Sequence, residues 1–368
     1  MPDVIAKNLS ILIPTFNRQE FLSVCLDSLL LQQCTGYELL VRDNDSADST
    51  KSLCIEYEKK FAQKGVDFHY VKNPENVGFR DNMVHGLHEL TRQNAMILMD
   101  DDYLINPQAL ASLYKSVNEN TNVKLATSPV YQHKMDSGLN SAKFVFAERA
   151  NSNVFPYQLV KGDSYFLNAW TKYPPLVLSS VVFDRVALLA SKWEEWSERA
   201  ALDVNMYNIL SLQGDVAVFS DKFVAYRIHP SQDFGNLPLE DCIATHMRIK
   251  DWYFLAKETQ RFSAFTLWFW RIKTVILKDQ GIIKRLFQRE SDDIAKYFNW
   301  LKSYSFIHYI IIKNFMPECI RHSRYSSNNK NLLANVRRQI LRAFLFIYRR
   351  KFDSQYQLSF HQALKGEV

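Results

Sequence analysis

The run Ala95-Met96-Ile97-Leu98-Met99-Asp100-Asp101-Asp102 places three consecutive carboxylates directly after a short apolar strand. Adjacent carboxylates repel one another, so a strand gains nothing from ending on three of them unless a cation or hydrogen-bond donors compensate. We predict that a divalent metal ion compensates here and also holds phosphate oxygens, because hard oxygen ligands suit Mg²⁺ and Mn²⁺. The alternative is an acidic loop that binds nothing.

The sequence on either side of this run alternates between strands and helices. Apolar runs predict strands over residues 9–13, 37–42, 66–71 and 95–99, and helical spacing of apolar residues predicts helices over 19–31, 52–63 and 80–90. This alternation predicts an α/β fold, with a mainly parallel sheet covered by helices on both faces. Ligands of such sheets bind beyond the carboxyl ends of the strands, so the loops that follow these strands are where we expect a site.

The second part of the pattern is less regular. Strands are predicted over residues 123–131, 181–183, 216–219 and 223–226, and a helix over 203–213 that ends at Gly214. From about Asp241 onward the sequence is mostly helical in character and rich in Trp and Phe. The chain therefore divides into an α/β part and a helical part.

Length and cysteine content narrow the class of protein. The chain has 368 residues, which suffices for a globular domain of about 200 to 250 residues and a smaller second unit. Its five cysteines are scattered without CxxC spacing, which favours reduced thiols over disulfides or zinc ligands. We recognise no signal peptide and no apolar stretch of membrane-spanning length, so we expect a cytoplasmic protein.

Four loops at predicted strand ends carry the polar residues. They read Pro14-Thr15-Phe16-Asn17-Arg18, Asp43-Asn44-Asp45-Ser46-Ala47-Asp48, Asn76-Val77-Gly78-Phe79-Arg80 and Asp100-Asp101-Asp102. In this order they resemble the nucleotide-sugar-binding half of family 2 glycosyltransferases, which have the Rossmann-like GT-A fold. The resemblance covers residues 9–106 well and 179–229 more loosely. It implies a GT-A domain over residues 1–235, with a nucleotide-sugar-binding half (1–105) and an acceptor half (106–235), followed by a helical basic domain over 236–368.

The resemblance implies a set of donor-binding residues. The first loop would line the base and ribose, Asp43 would accept a hydrogen bond from the base, and Asn76 and Arg80 would lie near the base or diphosphate. The implied nucleotide-sugar-binding residues are Pro14, Thr15, Phe16, Asn17, Arg18, Asp43, Asn76, Arg80, Asp100 and Asp101. Turn formation or helix capping is the alternative role for Asp43 and Asp48, and a solvated helix position is the alternative for Arg80. Asp45 departs from the usual glycine, at a position that can need positive φ.

The resemblance also implies a metal site. Asp102, the last residue of the triplet, would bind Mn²⁺ or Mg²⁺ directly, and Asp101 could serve either the metal or the sugar. Near the end of the second part, Tyr226-Arg227-Ile228-His229-Pro230 resembles another family element. His229 would bind the metal or contact the diphosphate, unless it is structural, and Arg227 would neutralise phosphate charge or structure the loop.

Asp203 is the implied general base. The family places an acidic pair at the start of a helix that ends at glycine, but Leu202 occupies the first acidic position here. Asp203 would take the proton of an acceptor hydroxyl, so the anomeric configuration would invert. Helix capping is the alternative role for Asp203, and Glu198 is a lower-ranked substitute base.

The charge of the chain is unevenly distributed. Residues 261–368 hold 20 Lys and Arg against 7 Asp and Glu, a net charge of +13, whereas the preceding residues have a net charge of −7. Residues 321–351 hold nine basic and no acidic residues beside an apolar stripe at helical spacing. Such a helix is typical of proteins at an anionic membrane surface, although the stripe could instead pack on the catalytic domain. No nucleic-acid recognition motif accompanies the charge, so we expect no nucleic-acid partner.

These features predict a metal-dependent inverting glycosyltransferase at the cytoplasmic face of the membrane. Its donor would be a UDP-sugar and its acceptor a glycan, lipid-linked, in bacterial surface polysaccharide (O-antigen or capsule) synthesis. A catalytically silent nucleotide-binding scaffold subunit of a polysaccharide assembly complex is the alternative, because Leu202 breaks the acidic pair. A sugar nucleotidyltransferase is disfavoured because the first loop lacks a glycine-rich phosphate-binding run.

Overall fold

A computed structural model describes residues 3–134, 155–169, 172, 177–191, 193–196, 202–229, 239–271, 273–274 and 293–304. The predicted basic helix at 321–351 and the substitute base Glu198 lie outside these residues. By its internal contacts the chain divides into two compact units, residues 1–267 and 268–368.

The first unit is built on an eight-stranded sheet. Its strands in chain order are β2 (Leu9–Thr15), β4 (Glu38–Asp43), β5 (Asp67–Lys72), β6 (Asn94–Ile97), β8 (Val123–Thr127), β10 (Tyr157–Val160), β11 (Val181–Asp184) and β12 (Asp215–Phe219). Across the sheet the order is β10-β12-β8-β11-β6-β2-β4-β5. Neighbouring strands are parallel except where β10 and β11 take part. The predicted mainly parallel sheet is therefore confirmed.

Two smaller sheets complete the strands of this unit. Strands β1 (Val4–Ile5) and β3 (Cys34–Thr35) form a parallel pair, and β7 (Tyr103–Leu104), β13 (Val224–Ile228) and β9 (Val130–Lys134) form a sheet in the order β7-β13-β9. The single strand predicted over 123–131 is wrong, because Ser128 and Pro129 separate β8 and β9, which belong to different sheets.

Helices cover both faces of the large sheet, as predicted. Their bounds are α1 (Gln19–Leu30), α2 (Thr50–Gln63), α3 (Gly78–Glu89), α4 (Ala109–Asn118), α5 (Gly162–Asn168), α6 (Arg185–Ala190), α7 (Leu202–Gln213) and α8 (Leu239–Glu258), with 3₁₀ turns at Leu178–Ser180 and Trp193–Trp196. Residues 264–271 are also helical, and the second unit contains α9 (Asp293–Tyr304). No helix among the described residues is long and apolar enough to cross a membrane.

The core follows from alternation along the strands. In β2, Ile11 and Ile13 point to the hydrophobic cluster that contains residues of α1, α2 and α4, whereas Leu12 points to the cluster that contains residues of α3, α6 and α7. Successive side chains of a strand point to opposite faces, so a strand that is apolar at every position must be buried on both. The three buried cysteines that the structure describes as free thiols, Cys25, Cys34 and Cys54, fit this core.

Helix α8 extends the first unit beyond its predicted end at residue 235. Trp252 donates from Nε1 to Asn205 Oδ1 in α7 (2.6 Å), and Arg261, just after α8, forms an ion pair with Asp163 (3.0 Å). The first compact unit therefore continues to residue 267, and the end of the catalytic domain at residue 235 stays a prediction.

Candidate active site

The acidic triplet lies where the parallel strands end, but its three carboxylates have different environments. Asp100 Oδ2 accepts a hydrogen bond from Thr15 Oγ1 (2.8 Å), at the end of β2, and Asp100 Oδ1 lies 3.4 Å from Arg18 Nη1. Burial, and then the negative charge of Asp101, raise the pKa of Asp100 to about 6, although Arg18 opposes the shift. Two predicted donor-binding residues of the first loop are thus in contact with the triplet.

Asp101 is the more accessible carboxylate of the pair that contacts Arg18. Its side chain is 11% exposed, against 3% for Asp100, and its Oδ2 atom lies 3.1 Å from Arg18 Nη1 and 3.1 Å from His229 Nε2. The imidazole of His229 also lies against the ring of Phe21, with 4.7 Å between ring centroids. The structure therefore brings Asp101 and His229 together from positions 128 residues apart.

Asp102 is buried and held by the protein at both oxygens. Its Oδ2 atom accepts from Ser179 Oγ (2.5 Å) and its Oδ1 atom accepts from the Arg227 backbone N–H (3.1 Å). Burial, together with the charge of Asp101, raises the pKa of Asp102 well above its usual value, and the bond from Ser179 opposes this. Each carboxylate oxygen has a second lone-pair direction, so these bonds leave Asp102 able to accept another ligand.

The prediction of a divalent cation depends on ligands from the donor as well as from the protein. Among the residues that the structure describes, no three His, Cys, Asp or Glu side chains are grouped so that they could hold a metal ion. Mg²⁺ and similar ions are usually bound by one or two carboxylates plus substrate phosphates. The oxygens of Asp101 and Asp102 and the nitrogen of His229 match that chemistry, and the role of each as a ligand stays a prediction.

Arg227 structures the loop around the triplet. Its side chain is buried, and it donates to the main-chain oxygens of Phe21 (2.9 Å), Asp100 (3.0 Å) and Asp101. Burial lowers the pKa of Arg227, and the nearby acidic groups oppose that shift. Of the two roles that the sequence left open for Arg227, the structure shows the structural one.

The first and second loops are bonded to each other. The backbone N–H of Asn17 donates to Ser46 Oγ (2.8 Å), and Asn17 Oδ1 accepts from the Ala47 N–H (2.7 Å). Pro14 is buried within β2, whereas the ring of Phe16 is 41% exposed beside the loop. The predicted base-binding loop thus presents one aromatic ring to solvent on a fixed backbone.

Asp43 is buried and forms the second turn. Its Oδ1 atom accepts from the Ser46 N–H (2.8 Å), and its Oδ2 atom accepts from the Tyr70 hydroxyl (2.7 Å). Asp45, the residue in place of the family's glycine, has φ of +68°, so the turn needs the left-handed conformation that glycine usually supplies. These bonds show the turn-forming role of Asp43, and its contact with a base stays a prediction.

The third loop is fixed by amide groups. Asn76 Oδ1 accepts from Asn44 Nδ2 (2.7 Å) and from the Gly78 N–H (2.9 Å), so Asn76 shapes this loop. Arg80 pairs with Asp81 and donates to the main-chain oxygen of Glu194 (2.6 Å). The structure therefore joins Arg80 to the segment that precedes α7, and any contact of Arg80 with the donor remains predicted.

Asp203 lies in the first turn of α7. Only Gly214 separates α7 from β12, which runs parallel to β8, so α7 ends at the edge where the parallel strands begin. A 12-residue helix is about 18 Å long. The start of α7 therefore lies toward the edge that carries the acidic triplet. Asp203 Oδ1 accepts from the Val204 N–H (2.7 Å), and Leu202 is buried in the core.

Asp48 has the capping role that the sequence left open. Its carboxylate accepts from the backbone N–H of Gln19 (3.0 Å) and of Thr50 (3.0 Å), the first residues of α1 and α2. Burial alone would raise the pKa of Asp48, but hydrogen bonds from Thr50 and Gln19 lower it. Asp48 thus joins the starts of two helices.

The sequence patterns did not identify two residues of the site, Ser179 and Tyr70. Ser179 Oγ accepts from the Met99 N–H (3.0 Å) and donates to Asp102, and Tyr70 binds Asp43. Ser179 precedes the apolar strand β11, whereas the four loops follow their strands, so the rule that identified the loops does not find Ser179. Because β11 is antiparallel to β6, the start of β11 lies beside the end of β6. Tyr70 is not found either, because alternation in β5 alone does not say what its hydroxyl meets.

Comparison with known proteins bears directly on these loops. The sequence model described as "Glycosyl transferase family 2" matches residues 10–165. The chain is 32% identical to a Campylobacter jejuni protein named GalNAc(5)-diNAcBac-PP-undecaprenol beta-1,3-glucosyltransferase over 111 residues. These 111 residues are 30% of this chain and 35% of that protein. It is 28% identical to the poly(ribitol-phosphate) beta-glucosyltransferase of Bacillus spizizenii over 114 residues. These 114 residues are 30% of this chain and 17% of that protein. The chain thus spans about a third or less of these curated relatives.

The fold is shared with a protein of known structure. A crystal structure of S. aureus TarS 1-349 in complex with UDP-GlcNAc superposes with a TM-score of 0.51 and 15% sequence identity, covering 85% of this chain and 82% of that one. At this identity the likeness concerns the fold alone. The family match over residues 10–165 and the motifs at the strand ends support a family 2 glycosyltransferase in this part of the chain, and the superposition supports the GT-A fold.

Proposed function

We propose that the protein is an inverting glycosyltransferase that moves a sugar from a nucleotide-sugar donor to a hydroxyl group of a glycan. The observation that carries the proposal is the meeting of Thr15, Arg18 and His229 at the acidic triplet, which joins three separate segments of the chain. A UDP-sugar is the donor we favour, because the TarS structure that shares the fold holds UDP-GlcNAc.

In this reaction a bond forms between the acceptor oxygen and the anomeric carbon while the bond from that carbon to the diphosphate breaks. The carboxylate of Asp203 takes the acceptor proton, and the acceptor attacks from the face opposite to the leaving group, so the configuration inverts. The guanidinium of Arg18 faces Asp100 and Asp101 and is one-quarter exposed, which suits contact with an anionic donor.

A divalent cation is part of the proposal. Asp102 and His229, the ligands that we predict from the family, would hold Mn²⁺ or Mg²⁺, and the carboxylate of Asp101 contacts both His229 and Arg18. When bound, the ion supplies positive charge to the departing diphosphate. The side chains of Ser179 and Thr15 keep two of the carboxylates oriented by hydrogen bonds.

The acceptor and setting are proposed from the relatives. The names of the Campylobacter jejuni and Bacillus spizizenii relatives state an undecaprenol-linked glycan and poly(ribitol-phosphate), both bacterial polymers or their lipid-linked forms. We therefore infer a lipid-linked or polymeric glycan acceptor in the synthesis of a bacterial surface polysaccharide, O-antigen or capsule. The basic residues at 321–351 would hold the enzyme at the inner face of the membrane.

One observation favours a second candidate, a silent nucleotide-binding scaffold. Leu202, at the position where the family has the first acidic residue of a pair, is 2% exposed and belongs to the core. It therefore offers no group to an acceptor hydroxyl, and Asp203 must act alone if the protein is an enzyme.

Replacing Asp203 by Asn separates the two candidates. For an enzyme, Asp203→Asn should lower sugar transfer by about 10²- to 10⁴-fold and leave UDP affinity with Mn²⁺ unchanged. The matched control is Asp163→Asn, which removes a carboxylate from the first turn of α5 and should keep transfer. Absence of transfer by the wild-type protein with every UDP-sugar and lipid-linked acceptor tested, alongside tight UDP binding, would favour the scaffold.

A further inference from the structure

One buried residue contacts all three members of the acidic triplet, two through its side chain and one through its backbone. The Arg227 side chain is nearly inaccessible and donates from Nη2 to the main-chain oxygens of Phe21 (2.9 Å) and Asp100 (3.0 Å), and from Nε to that of Asp101. The backbone N–H of Arg227 donates to Asp102 Oδ1 (3.1 Å). Arg227 therefore joins the triplet to the first turn of α1.

The position of the guanidinium is fixed by its surroundings. Its central carbon lies 4.8 Å from the ring centroid of Phe21 and 5.5 Å from that of Tyr103, distances at which a cation is attracted to an aromatic ring. The planar guanidinium holds its donors in a rigid fork, which a lysine ammonium cannot reproduce. A lysine at this position would keep the charge and lose most of the three-way bridge.

We propose that Arg227 is a positioning residue for the acidic triplet. By holding the peptide oxygens of Asp100 and Asp101 it fixes the backbone of the triplet, so that the carboxylate of Asp101 stays beside His229 in the geometry that a cation and a diphosphate need. This inference rests on the proposed function, because it concerns the binding of a divalent cation with the donor. Its charge, close to three carboxylates, also reduces their mutual repulsion.

The structure provides a matched control in Arg185. This arginine is also buried and also donates to main-chain oxygens, those of Arg92 (2.7 Å) and Leu87 (3.2 Å). It follows β11, whose last residue pairs with Asn94 at the start of β6. Arg185 thus lies at the edge of the sheet opposite to the triplet, where loss of its bridge can only affect stability.

The test compares Arg227→Lys with Arg185→Lys in the full-length chain. Mn²⁺ affinity in the presence of UDP is measured by electron paramagnetic resonance of free Mn²⁺, and UDP affinity in EDTA by calorimetry. Residues that orient metal ligands typically change metal affinity by about 10- to 100-fold. We expect a loss of this size for Arg227→Lys with unchanged UDP affinity in EDTA, and no change in either affinity for Arg185→Lys.

The outcomes separate this inference from the proposed function. A wild-type protein that binds no Mn²⁺ with UDP refutes the proposed metal site and the inference together. Wild-type binding that Arg227→Lys retains, or that Arg185→Lys weakens equally, overturns the positioning role alone. If Arg227→Lys does not fold, Arg227→Gln is measured in its place. Failure of both to fold, while Arg185→Lys folds, assigns Arg227 to general stability and also overturns the proposal.

Discussion

At the scale of single residues, three identical side chains in sequence have three different surroundings. Asp100 contacts Thr15, Asp101 contacts His229, and Asp102 accepts hydrogen bonds at both of its oxygens. These different surroundings limit the repulsion between the three carboxylates, because each negative charge has its own hydrogen-bond donors. Neighbouring carboxylates can thus be retained at one strand end.

The positive φ of Asp45 leads to a prediction about stability. A non-glycine residue in the left-handed conformation costs about 1–2 kcal/mol, and a glycine there adds back about 0.5–1 kcal/mol of unfolded-state entropy. We therefore expect Asp45→Gly to change the free energy of unfolding by between 0 and about +1 kcal/mol. Asp45→Ala should be destabilising, because alanine adopts this conformation less readily than aspartate. Urea denaturation of the three proteins measures both, and a destabilised glycine variant would contradict the argument.

Asp215 leads to a prediction about acid stability. Its carboxylate accepts from Lys161 Nζ (2.9 Å), Asn122 Nδ2 (2.8 Å) and the Gly162 N–H (3.3 Å). Burial alone would raise the pKa of Asp215, but these hydrogen bonds outweigh it and lower the pKa. A carboxyl whose folded-state pKa is depressed stabilises the protein above its unfolded-state pKa, and this contribution disappears as the pH falls through the folded-state pKa.

We therefore expect Asp215→Asn to lower the free energy of unfolding by about 1–3 kcal/mol near pH 7. The difference from wild type should shrink as the pH falls below about 4. Urea denaturation across this pH range is the measurement. The control is Asp67→Asn, at a half-exposed carboxylate on the sheet edge, which should change stability little at any pH. A pH-independent difference for Asp215→Asn would argue against the hydrogen-bond explanation.

At the scale of elements, the small sheet completes the site. Strand β7 begins directly after the triplet and pairs with β13, in the register Leu104 with Val224 and Tyr103 with Ala225. This pairing places Arg227 and, just beyond β13, His229 beside the triplet. The two-residue strand β7 thus matters for the site, because its pairing brings β13 to the end of β6, where the triplet lies.

Two glycines allow close backbone packing around the end of α7. A β-carbon at Gly162 would lie 2.0 Å from the main-chain oxygens of Ser211 and Gly214, and one at Gly214 would lie 2.4 Å from that of Asn122. Gly214 therefore ends α7 because of close backbone packing, and its φ is not positive. The predicted end of the helix is confirmed, with steric room rather than left-handed backbone as its cause.

We expect Gly162→Ala to destabilise the protein by about 3 kcal/mol or more, since backbone atoms must move to admit the methyl group. Chemical denaturation measures the loss. The matched control is Gly65→Ala, where the new methyl group meets no atom within 4 Å and only the positive φ is strained, at about 1–2 kcal/mol. Equal losses for the two variants would show that α5 and α7 separate readily.

At the scale of the whole molecule, the proposed donor should stabilise the fold. A ligand at 100 times its Kd adds about 2.7 kcal/mol to the free energy of unfolding, which corresponds to a rise in Tm of about 5–10 °C for a domain of this size. We expect this rise with UDP and Mn²⁺, and its reduction on addition of EDTA. Differential scanning fluorimetry measures it, with AMP and Mn²⁺ as control. A rise that EDTA leaves intact would argue against the cation.

The uneven charge of the chain leads to a prediction about membranes. We expect the full-length protein to co-sediment with vesicles that contain phosphatidylserine, and to be released as the salt concentration rises, because the net charge of +13 over residues 261–368 is screened by ions. Vesicles of phosphatidylcholine alone are the control and should bind little. Equal binding by a chain truncated before Arg321 would show that the basic stretch is not the anchor.

Much of the fold could be predicted because the relevant signals are local. The apolar strands and amphipathic helices of the first hundred residues are recognisable from periodicity, and the structure places their ends within a few residues of the prediction. The prediction of one strand over 123–131 overlooked Pro129, which cannot donate to a ladder and so marks the break between β8 and β9. That β8 and β9 belong to different sheets could not be predicted. Which sheet a strand joins depends on residues far away in the sequence.

The candidate site could also be predicted only in part. That polar residues at the ends of parallel strands share one edge of the sheet follows from the sequence pattern, and so does the choice of Asp100, Asp101 and Asp102. The sequence did not show that Ser179 and Arg227 would hold these carboxylates, because hydrogen bonds across 77 and 125 residues leave no periodic trace.

The sequence by itself determined the alternation of strands and helices, the sheet edge that carries the site and the family that residues 10–165 resemble, because these depend on residue type and spacing. The tertiary structure alone decided which of three adjacent aspartates faces His229 and which is enclosed by Ser179 and Arg227. The physical reason is that hydrogen bonding and burial depend on the distances that folding creates between remote segments, and those distances are not encoded in any one stretch of the chain.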